Sequence, residues 1–402
     1  MKSCLPKCNQ CDSPRNGENC LRAKKGKTVM ACVFIPLIAA LLGYFLGKYA
    51  IDRLVDSNVA AFLHTVLVCG ASAVIIVLSI VFWKPYRIPC AVALVVFLGA
   101  VVTGFLFCVF YNSTLGLKVK WDDSVGVIVK DLVYDENRPE TGYDLYLPSE
   151  KTNDGTYALV LYVHGGGFTS GSKKDGELWC KYMTAKGYVS ASIDYTLQGN
   201  QENPSNLHLM AQQVVQCVAA ARDKCSQLGY ELSEMAVTGG SAGGAIAALF
   251  AYGYAEESAV PLKFIFQQTG PMYFDPIWWG AANYDYAMQA MFISNFSGQK
   301  VTEEMIQAGE HQAIIDAMSP AALVREDSVP MLCAYGPRDK MVPERLKYHL
   351  FEALEKYHVP YTFVEYPHSN HGLYDDPAAQ REYLKQVDEF CRTYFEHKPK
   401  NN

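Results

Sequence analysis

The sequence predicts an α/β fold, in which a mostly parallel β-sheet is covered by helices on both faces, preceded by three transmembrane helices. Two observations lead to this fold class. From about Trp121 onward, short apolar stretches alternate with stretches of helical periodicity, as expected for a parallel sheet and its covering helices. Before residue 112, three long stretches contain no Asp, Glu, Lys or Arg, and each reaches the roughly 20 residues that a helix needs to cross a bilayer.

The uncharged stretches divide the chain into three regions. The three uncharged stretches are Val29–Gly47, Asn58–Trp83 and Ile88–Tyr111. Buried core helices are the alternative, but core helices of a globular domain usually keep a polar stripe, which these stretches lack. We therefore expect a basic, Cys-containing cytoplasmic tail over residues 1–28, a three-helix transmembrane region over residues 29–112 and an α/β domain over residues 113–402.

Basic residues near these stretches predict their orientation. The N-terminal tail is rich in Lys and Arg, and the short loop after the second stretch adds Lys84 and Arg87. Because basic loops stay on the cytoplasmic side, the N-terminus is expected in the cytoplasm. Three crossings then place the α/β domain outside the cytoplasm, so the expected location is the cell membrane, with the lipid bilayer as a partner.

The charge of the chain argues against a nucleic-acid partner. The formal net charge is −6 at pH 7 although residues 1–28 are basic, so the α/β domain is acidic. Binding to nucleic acid needs a basic face that neutralises phosphates. The acidic balance says little about which neutral substrate the domain might use.

Four cysteines of the tail leave a zinc site open as a possibility. They are Cys4, Cys8, Cys11 and Cys20. Four thiolates can bind zinc tetrahedrally, and Cys8 and Cys11 have the spacing of half a site. The other two lack paired spacing, so we favour a mobile basic tail with incidental or lipid-modified thiols. The sequence therefore implies no metal and no organic cofactor.

The strands of the α/β domain are predicted from short apolar runs. Val125–Tyr134 shows partial alternation, whereas Tyr157–His164 is almost continuously apolar, as is typical of a strand buried on both faces. Tyr143–Pro148 is expected to pair antiparallel with the first strand. The remaining predicted strands are Tyr188–Tyr195, Met235–Thr238, Leu262–Gln267, Met331–Tyr335 and Tyr361–Tyr366. Helices are predicted over Gly176–Lys186, Leu207–Leu228 and Ala245–Tyr254.

The segment Pro271–Ile315 interrupts this alternation and is rich in aromatic residues. An insertion between late strands of such a sheet would lie over the strand ends, where ligands bind. It is therefore expected to form a small cap, with Trp278 and Trp279 as candidate walls of a substrate pocket, together with Phe168. The alternative is an ordinary covering helix whose aromatic residues belong to the core, and one segment can serve both purposes.

Ser241 is the candidate nucleophile. It stands in Gly239-Gly240-Ser241-Ala242-Gly243, between a short apolar strand and a helix of small residues. The G-x-S-x-G pattern at such a junction is typical of a sharp turn that exposes the hydroxyl at a helix N-terminus. A flexible glycine-rich loop is the alternative for the pentapeptide alone, and the strand before it and the helix after it favour the turn.

A second glycine-rich segment directly follows the strand Tyr157–His164. Its sequence is His164-Gly165-Gly166-Gly167-Phe168. Backbone N–H groups of such a run can stabilise a developing oxyanion, and we expect Gly166 and Gly167 to donate together with Ala242. A phosphate-binding loop is the alternative, but the Lys-Ser/Thr ending of such loops is missing. His164 is expected to support the loop by hydrogen bonding rather than to act as a base.

A serine hydroxyl needs an adjacent base and an orienting acid, in the chain order Ser, Asp or Glu, His. Asp339 follows the strand Met331–Tyr335, and His371 follows the strand Tyr361–Tyr366. We favour His371 as the base because Gly372 allows its loop to turn back toward Ser241. Competing residues lie close by in the sequence, namely His368, Asp375 and Asp376.

Residues from about 121 to 397 resemble the α/β-hydrolase superfamily, specifically its esterase and lipase branch with an HGGG loop. The matching segments occur in family order: HGGGF at 164–168, Asp194-Tyr195, GGSAGG at 239–244, GPRDKMVP at 336–343 and NHG at 370–372. This branch includes hormone-sensitive-lipase-like carboxylesterases and bifunctional feruloyl and acetyl xylan esterases. Many of the former carry an acidic residue where this chain has Gly240, so the resemblance is closer to the xylan-esterase side.

The resemblance implies an α/β-hydrolase fold and a serine hydrolase acting on carboxylic esters, with Ser241, Asp339 and His371 as its triad. It suggests a short acyl ester, or an acetylated or feruloylated glycan, as substrate. A peptidase or amidase on the same scaffold stays open, although Ala242 stands where prolyl-oligopeptidase-type peptidases usually carry Tyr. Acyl transfer to another alcohol and a non-catalytic binding or sensor domain are further alternatives.

Overall fold

The computed structural model describes residues 115–152, 154–199, 204–279 and 285–396. They belong to one compact unit that spans Asn112–Asn402. The four tail cysteines considered for zinc lie outside the described residues.

The prediction of three transmembrane helices as part of the fold is not supported and is corrected here. Among the described residues, none of the helices combines the length and the hydrophobicity that crossing a membrane requires. The longest described helix, Leu207–Gln227, is amphipathic and exposes charged residues such as Asp223. The three predicted segments themselves lie outside the described residues. The predicted location outside the cytoplasm depends on the same segments and stays a prediction.

An eight-stranded mixed sheet forms the centre of the described fold, in the order β1-β2-β4-β3-β5-β6-β7-β8. The two pairs that involve β2 are antiparallel, and the other neighbouring strands are parallel. The strands are β1 (Gly126–Val133), β2 (Gly142–Pro148), β3 (Thr156–Val163), β4 (Val189–Ile193), β5 (Glu231–Gly240), β6 (Leu262–Gln268), β7 (Met331–Tyr335) and β8 (Tyr361–Glu365).

Helices connect the strands. They are α1 (Glu177–Ala185), α2 (Leu207–Gln227), α3 (Ala242–Gly253), α4 (Tyr286–Ser297), α5 (Glu303–Ala308), α6 (Gln312–Met318), α7 (Leu346–Lys356) and α8 (Pro377–Tyr394). Several begin at a residue whose side chain caps the first turn. Asn206 accepts a hydrogen bond from the Leu209 N–H at the start of α2, and Asp285 accepts one from the Met288 N–H at the start of α4.

Two apolar cores lie on opposite faces of the sheet, because successive side chains of a strand point to opposite sides. In β3, Leu159 and Leu161 belong to the core that also contains residues of α2, α3 and α7. Their neighbours Ala158 and Val160 belong to the core that contains residues of α1 and α8. The sheet is therefore covered on both faces, as predicted from the sequence.

The predicted strands are confirmed, with small differences at their ends. The largest difference concerns β5, which was expected over Met235–Thr238 and covers Glu231–Gly240. The predicted insertion Pro271–Ile315 contains α4, α5 and part of α6, and residues 280–284 within it lie outside the described residues.

Candidate active site

The loops after β3, β5, β7 and β8 meet at one edge of the sheet. These strands are parallel, so their carboxyl ends point the same way, which is where open α/β sheets bind ligands. His164 follows β3, Ser241 follows β5, and Asp339 and His371 lie in the loops after β7 and β8. Segments far apart in the sequence thus contribute to one site.

Ser241 lies at a strained turn between β5 and α3. Its φ of 54° and ψ of −126° are unfavourable for a residue with a side chain. The turn is tight: a Cβ at Gly239 would lie 2.6 Å from the Val163 carbonyl oxygen, and one at Gly243 would lie 2.5 Å from that of His164. Only glycine fits these two positions, and the close approach sets the Ser241 hydroxyl at the first turn of α3.

His371 joins Ser241 to Asp339. Its Nε2 lies 2.8 Å from the Ser241 Oγ, and its Nδ1 lies 2.7 Å from the Asp339 Oδ2. A carboxylate can only accept, so Nδ1–H donates to Asp339 and leaves the unprotonated Nε2 to accept from the Ser241 hydroxyl. The Asp339 side chain is 3 % exposed and that of His371 is 17 % exposed, so water has little access to the pair.

Backbone groups hold the Asp339 carboxylate. Its Oδ1 accepts hydrogen bonds from the Met341 and Val342 N–H groups at 2.8 and 2.9 Å, which leaves Oδ2 directed at His371. The Asp339 loop also contacts the His371 loop, because the Arg338 N–H donates to the Ser369 carbonyl oxygen at 3.2 Å. The loops that carry the two side chains are therefore joined by a backbone hydrogen bond.

The competing residues form a separate pair beside this site. The His368 Nδ1 lies 2.7 Å from the Asp376 Oδ1, and the His368 imidazole is 66 % exposed. Asp376 also accepts from the Ser369 hydroxyl and from the His368 N–H. It thereby ties the start of the loop that carries His371 to the start of α8, whereas His371 alone of the two histidines contacts Ser241.

The glycine-rich loop after β3 lies beside Ser241. A Cβ at Gly165 would be 3.4 Å from the Ser241 Cβ. Gly166 has a φ of 111°, and a Cβ there would lie 2.6 Å from the Ser170 carbonyl carbon, so this position requires glycine. The Gly166 carbonyl oxygen accepts hydrogen bonds from the Thr169 and Ser170 N–H groups. The loop is thus a tight turn, and its residue Gly165 packs against Ser241.

His164 is buried at the base of this loop. Its Nδ1 lies 2.7 Å from the Gly165 carbonyl oxygen, and burial lowers the pKa of the imidazole. The ring stacks on Tyr195 at a centroid distance of 4.3 Å, and the Tyr195 hydroxyl donates to the His164 carbonyl oxygen. His164 contacts the loop and not the Ser241 hydroxyl, while Tyr195 was assigned no role from the sequence.

The three candidate pocket residues lie in different surroundings. Phe168 is buried and packs edge-on against Phe296 at 5.3 Å. Trp279 packs against Phe274 at 5.6 Å and donates its indole N–H to the Tyr273 carbonyl oxygen. Trp278 is 41 % exposed and contacts His349 of α7. An aromatic cluster, formed by Phe168, Phe274, Trp279, Phe292 and Phe296, therefore connects the glycine-rich loop to the cap.

Metal-binding clusters are absent from the part of the chain that the structure describes, where no three His, Cys, Asp or Glu side chains are grouped for such a role. The described cysteines are buried free thiols, namely Cys180, Cys217, Cys225, Cys333 and Cys391.

Comparison with protein families identifies the family of this chain. The BD-FAE family model matches residues 143–354, which is more than half of the chain and includes Ser241, Asp339 and the glycine-rich loop. The chain belongs to the BD-FAE family. His371 lies after the matched segment, so its place beside Ser241 comes from the fold and not from the family match.

Two curated proteins of Mycobacterium tuberculosis are similar to this BD-FAE chain. Esterase LipI is 29 % identical over 140 residues, which cover 34 % of this chain and 42 % of LipI. The probable carboxylic ester hydrolase LipM is 21 % identical over 259 residues, which cover 60 % of this chain and 56 % of LipM. The chain spans about half the length of the curated relatives it matches.

Solved structures of esterases share the α/β-hydrolase fold. Esterase B from Lactobacillus rhamnosis superposes with a TM-score of 0.54 at 18 % identity, covering 73 % of this chain and 96 % of the other. A carbohydrate esterase from gut microbiota gives 0.54 at 17 % identity, covering 68 % and 99 %. The propionate-bound esterase Est2 of Thermogutta terrifontis gives 0.52 at 20 % identity, covering 67 % and 96 %. The predicted α/β-hydrolase fold is confirmed by these matches.

Proposed function

We propose that this BD-FAE chain is a serine hydrolase that cleaves carboxylic esters. The observation that carries the proposal is the continuous hydrogen-bonded series from Ser241 through His371 to Asp339. Family membership supports it, as do the relatives named esterase and carboxylic ester hydrolase. The glycine-rich loop beside the serine adds the donors that ester cleavage needs.

In the proposed acylation step, the Ser241 Oγ attacks the carbonyl carbon of the ester while its proton passes to the His371 Nε2. The Asp339 carboxylate stabilises the imidazolium and keeps the ring in the orientation that the Nδ1–H bond sets. The carbonyl electrons move onto oxygen, where the Gly166, Gly167 and Ala242 N–H groups would stabilise the negative charge. Collapse of this intermediate expels the alcohol, which takes its proton from His371.

Deacylation repeats these steps with water. His371 takes a proton from the water molecule as the water oxygen attacks the acyl carbon. The same N–H groups stabilise the second oxyanion. The carboxylic acid is released when the Ser241 oxygen leaves and recovers its proton from His371. Each step uses groups of this chain, so the mechanism requires no metal or organic cofactor.

We propose a short acyl group for the substrate, carried on a small alcohol or on a glycan. The aromatic cluster next to the glycine-rich loop supports this choice, because packed rings leave little space for a long chain. Solved relatives described as propionate-bound and as a carbohydrate esterase point the same way.

Labelling with a fluorophosphonate, together with hydrolysis of p-nitrophenyl esters of increasing chain length, tests the proposal. We expect the wild-type protein to be labelled and to hydrolyse the acetate ester faster than the octanoate. Ser241→Ala is the matched control, and it should lose both the labelling and the hydrolysis. Labelling that persists in Ser241→Ala would disprove the role of this serine, and hydrolysis of p-nitroanilides at the rate of the esters would favour an amidase.

A further inference from the structure

Lys173 is a buried lysine at the end of the segment 164–173, which begins with the glycine-rich loop. Neither the family motifs nor the proposed mechanism gives this lysine a role. It opens a short 3-10 turn, Lys173–Gly176, that connects the loop to α1. Its side chain is 9 % exposed, which is rare for lysine because burial removes the hydration of the ammonium group.

Two aspartates bind the Lys173 ammonium. Its Nζ lies 2.8 Å from the Asp144 Oδ1 and 2.8 Å from the Asp131 Oδ1. Burial alone opposes the charge, but the hydrogen bonds to Asp131 and Asp144 outweigh it and raise the pKa of Lys173 above its usual value. The ammonium is therefore charged at neutral pH and fixed between β1 and β2.

The backbone of Lys173 is fixed as firmly as its side chain. Its N–H donates to the Asp194 Oδ1 at 2.6 Å, and its carbonyl oxygen accepts from the Ser192 hydroxyl at 2.7 Å. Both partners come from β4 or the residue that follows it. Lys173 thus attaches the end of the loop to β1, β2 and β4, whereas the start of the loop continues from β3.

The loop between these attachments folds back on itself. A Cβ at Gly171 would lie 2.5 Å from the Gly165 carbonyl oxygen and 2.5 Å from the His164 Nδ1. The Ser170 N–H and hydroxyl both donate to the Gly166 carbonyl oxygen. The Gly165 and Gly166 carbonyl oxygens belong to the peptide units that carry the Gly166 and Gly167 N–H groups. A displacement of Lys173 would therefore be transmitted through Gly171 and Ser170 to these two N–H groups.

The backbone of Asp131, one of the two aspartates that bind Lys173, is strained. It lies at an irregularity of β1 and has a φ of 57°, a strained value for a residue other than glycine. Its N–H donates to the Asp144 Oδ1 at 2.8 Å, so the strained backbone and the ion pair form one unit. A buried ion pair contributes little net stability, because desolvation offsets the attraction, so we infer that this one serves to fix a single arrangement of the segment.

We propose that Lys173, held by Asp144, Asp131 and Asp194, is a positioning residue that sets the Gly166 and Gly167 N–H groups for the oxyanion. The proposal rests on the proposed function of these N–H groups. It assigns to Lys173 an effect on the transition state and not on substrate binding, since the contacts of the lysine are with the aspartates and Ser192 and not with Ser241.

Lys173→Met tests the proposal, because Met keeps the length of the side chain and removes the charge. Displacing catalytic donors by about 1 Å can cost up to about 100-fold in rate, so we expect kcat for p-nitrophenyl acetate to fall about 10- to 100-fold with KM within about twofold of wild type. A trifluoromethyl ketone accepts the Ser241 oxygen and forms a stable oxyanion, so its inhibition constant should rise by the same factor. Lys174→Met, at the exposed neighbouring position, is the matched control and should change none of these values.

Hydrogen–deuterium exchange of the peptide over residues 164–176 gives a readout that does not depend on ester hydrolysis. We expect faster exchange in Lys173→Met than in Lys174→Met. Wild-type exchange together with wild-type kcat in Lys173→Met would overturn the proposal, and so would a fall in kcat without weaker inhibition by the ketone. If the wild-type protein hydrolyses no ester, the proposed function fails, and the exchange result still decides whether Lys173 fixes the loop.

A second variant keeps the test decisive if Lys173→Met does not fold. Asp131→Asn removes one of the two carboxylates from a side chain that is 84 % exposed, and Asn tolerates the positive φ. We expect a smaller change in the same direction, about threefold in kcat and in the inhibition constant. An unchanged kcat together with an unchanged inhibition constant in Asp131→Asn would overturn the proposal.

Discussion

At the scale of single residues, two histidines three positions apart differ in what they contact. His371 lies between Ser241 and Asp339, whereas His368 binds Asp376. We expect His371→Ala to lower kcat/KM for p-nitrophenyl acetate by about 10⁴-fold or more, because the serine loses its base. His368→Ala should stay within about fivefold of wild type, since Ser369 still binds Asp376. The opposite order of activities would assign the base to His368.

Asp376 gives a prediction about pH and stability. Burial favours its neutral form, but hydrogen bonds from Ser369 and His368 outweigh burial and lower the pKa of the carboxyl. A lowered pKa stabilises the folded state at pH values above the unfolded pKa of about 3.9, and this stabilisation is lost as the pH falls through the folded pKa. We expect Asp376→Asn to be about 1–2 kcal/mol less stable than wild type at pH 7, with the difference shrinking toward pH 2.

Urea unfolding at pH 7, 4 and 2 measures this difference. Glu365→Gln, which neutralises an exposed carboxylate at the end of β8, serves as the control and should follow wild type at each pH. A gap between Asp376→Asn and wild type that stays constant at acidic pH would show that shape and not charge matters at this position.

Individual site residues differ in how visible they are in the sequence. Ser241 and the glycines around it form a local pattern, because one turn makes all of their contacts. Asp339 and His371 were identified from chain order and strand ends, and the fold brings them together across 32 residues of sequence. Lys173 gave no such signal, since its role depends on Asp131, Asp144 and Asp194, which reach it from three separate strands or strand ends.

At the scale of the elements, the turn from β5 into α3 depends on close packing against β3. A Cβ at Gly243 would collide with the backbone carbonyl groups of Val163 and His164, which cannot move without shifting β3. We expect Gly243→Ala to lower the free energy of unfolding by about 3 kcal/mol or more, measured by urea titration. Gly253→Ala, at the other end of α3, meets the flexible Leu323 side chain at 3.1 Å and should change stability by less than about 1 kcal/mol.

Equal effects of the two alanine substitutions would mean that the β5–α3 turn can relax. The comparison is informative because both glycines belong to one helix and gain the same methyl group. Helix propensity favours alanine at both positions by up to about 1 kcal/mol, so only the surroundings differ.

The apolar strands of the parallel sheet were predictable because burial on both faces leaves a continuous apolar run. β5 shows the limit of this signal, since its first residues, Glu231 to Glu234, are mostly polar and still pair with the start of β3. Pairing of this kind depends on a strand distant in sequence, which no local pattern reports. The helices α7 and α8, which follow the last two strands of the sheet, were not predicted.

At the scale of the whole molecule, the site exists only when the sheet is complete. Each of its loops follows a different strand, and the strands β3, β5, β6, β7 and β8 are neighbours in that order. The mostly parallel sheet and its cover were predictable from the alternation of strands and helices. The uncharged stretches of the N-terminal region lie outside the described residues.

The backbone strain at Ser241 lowers the stability of the folded protein at the residue proposed as its nucleophile. At an ordinary position, alanine is more stable than glycine by about 0.5–1 kcal/mol, but at a φ of 54° and a ψ of −126° we expect the reverse. Ser241→Gly should unfold at a higher temperature than Ser241→Ala, and a lower melting temperature would show that the turn carries no strain. Glycine would adopt this backbone conformation at a lower cost, so the strained serine is stability that the chain gives up for the hydroxyl on which the proposed mechanism depends.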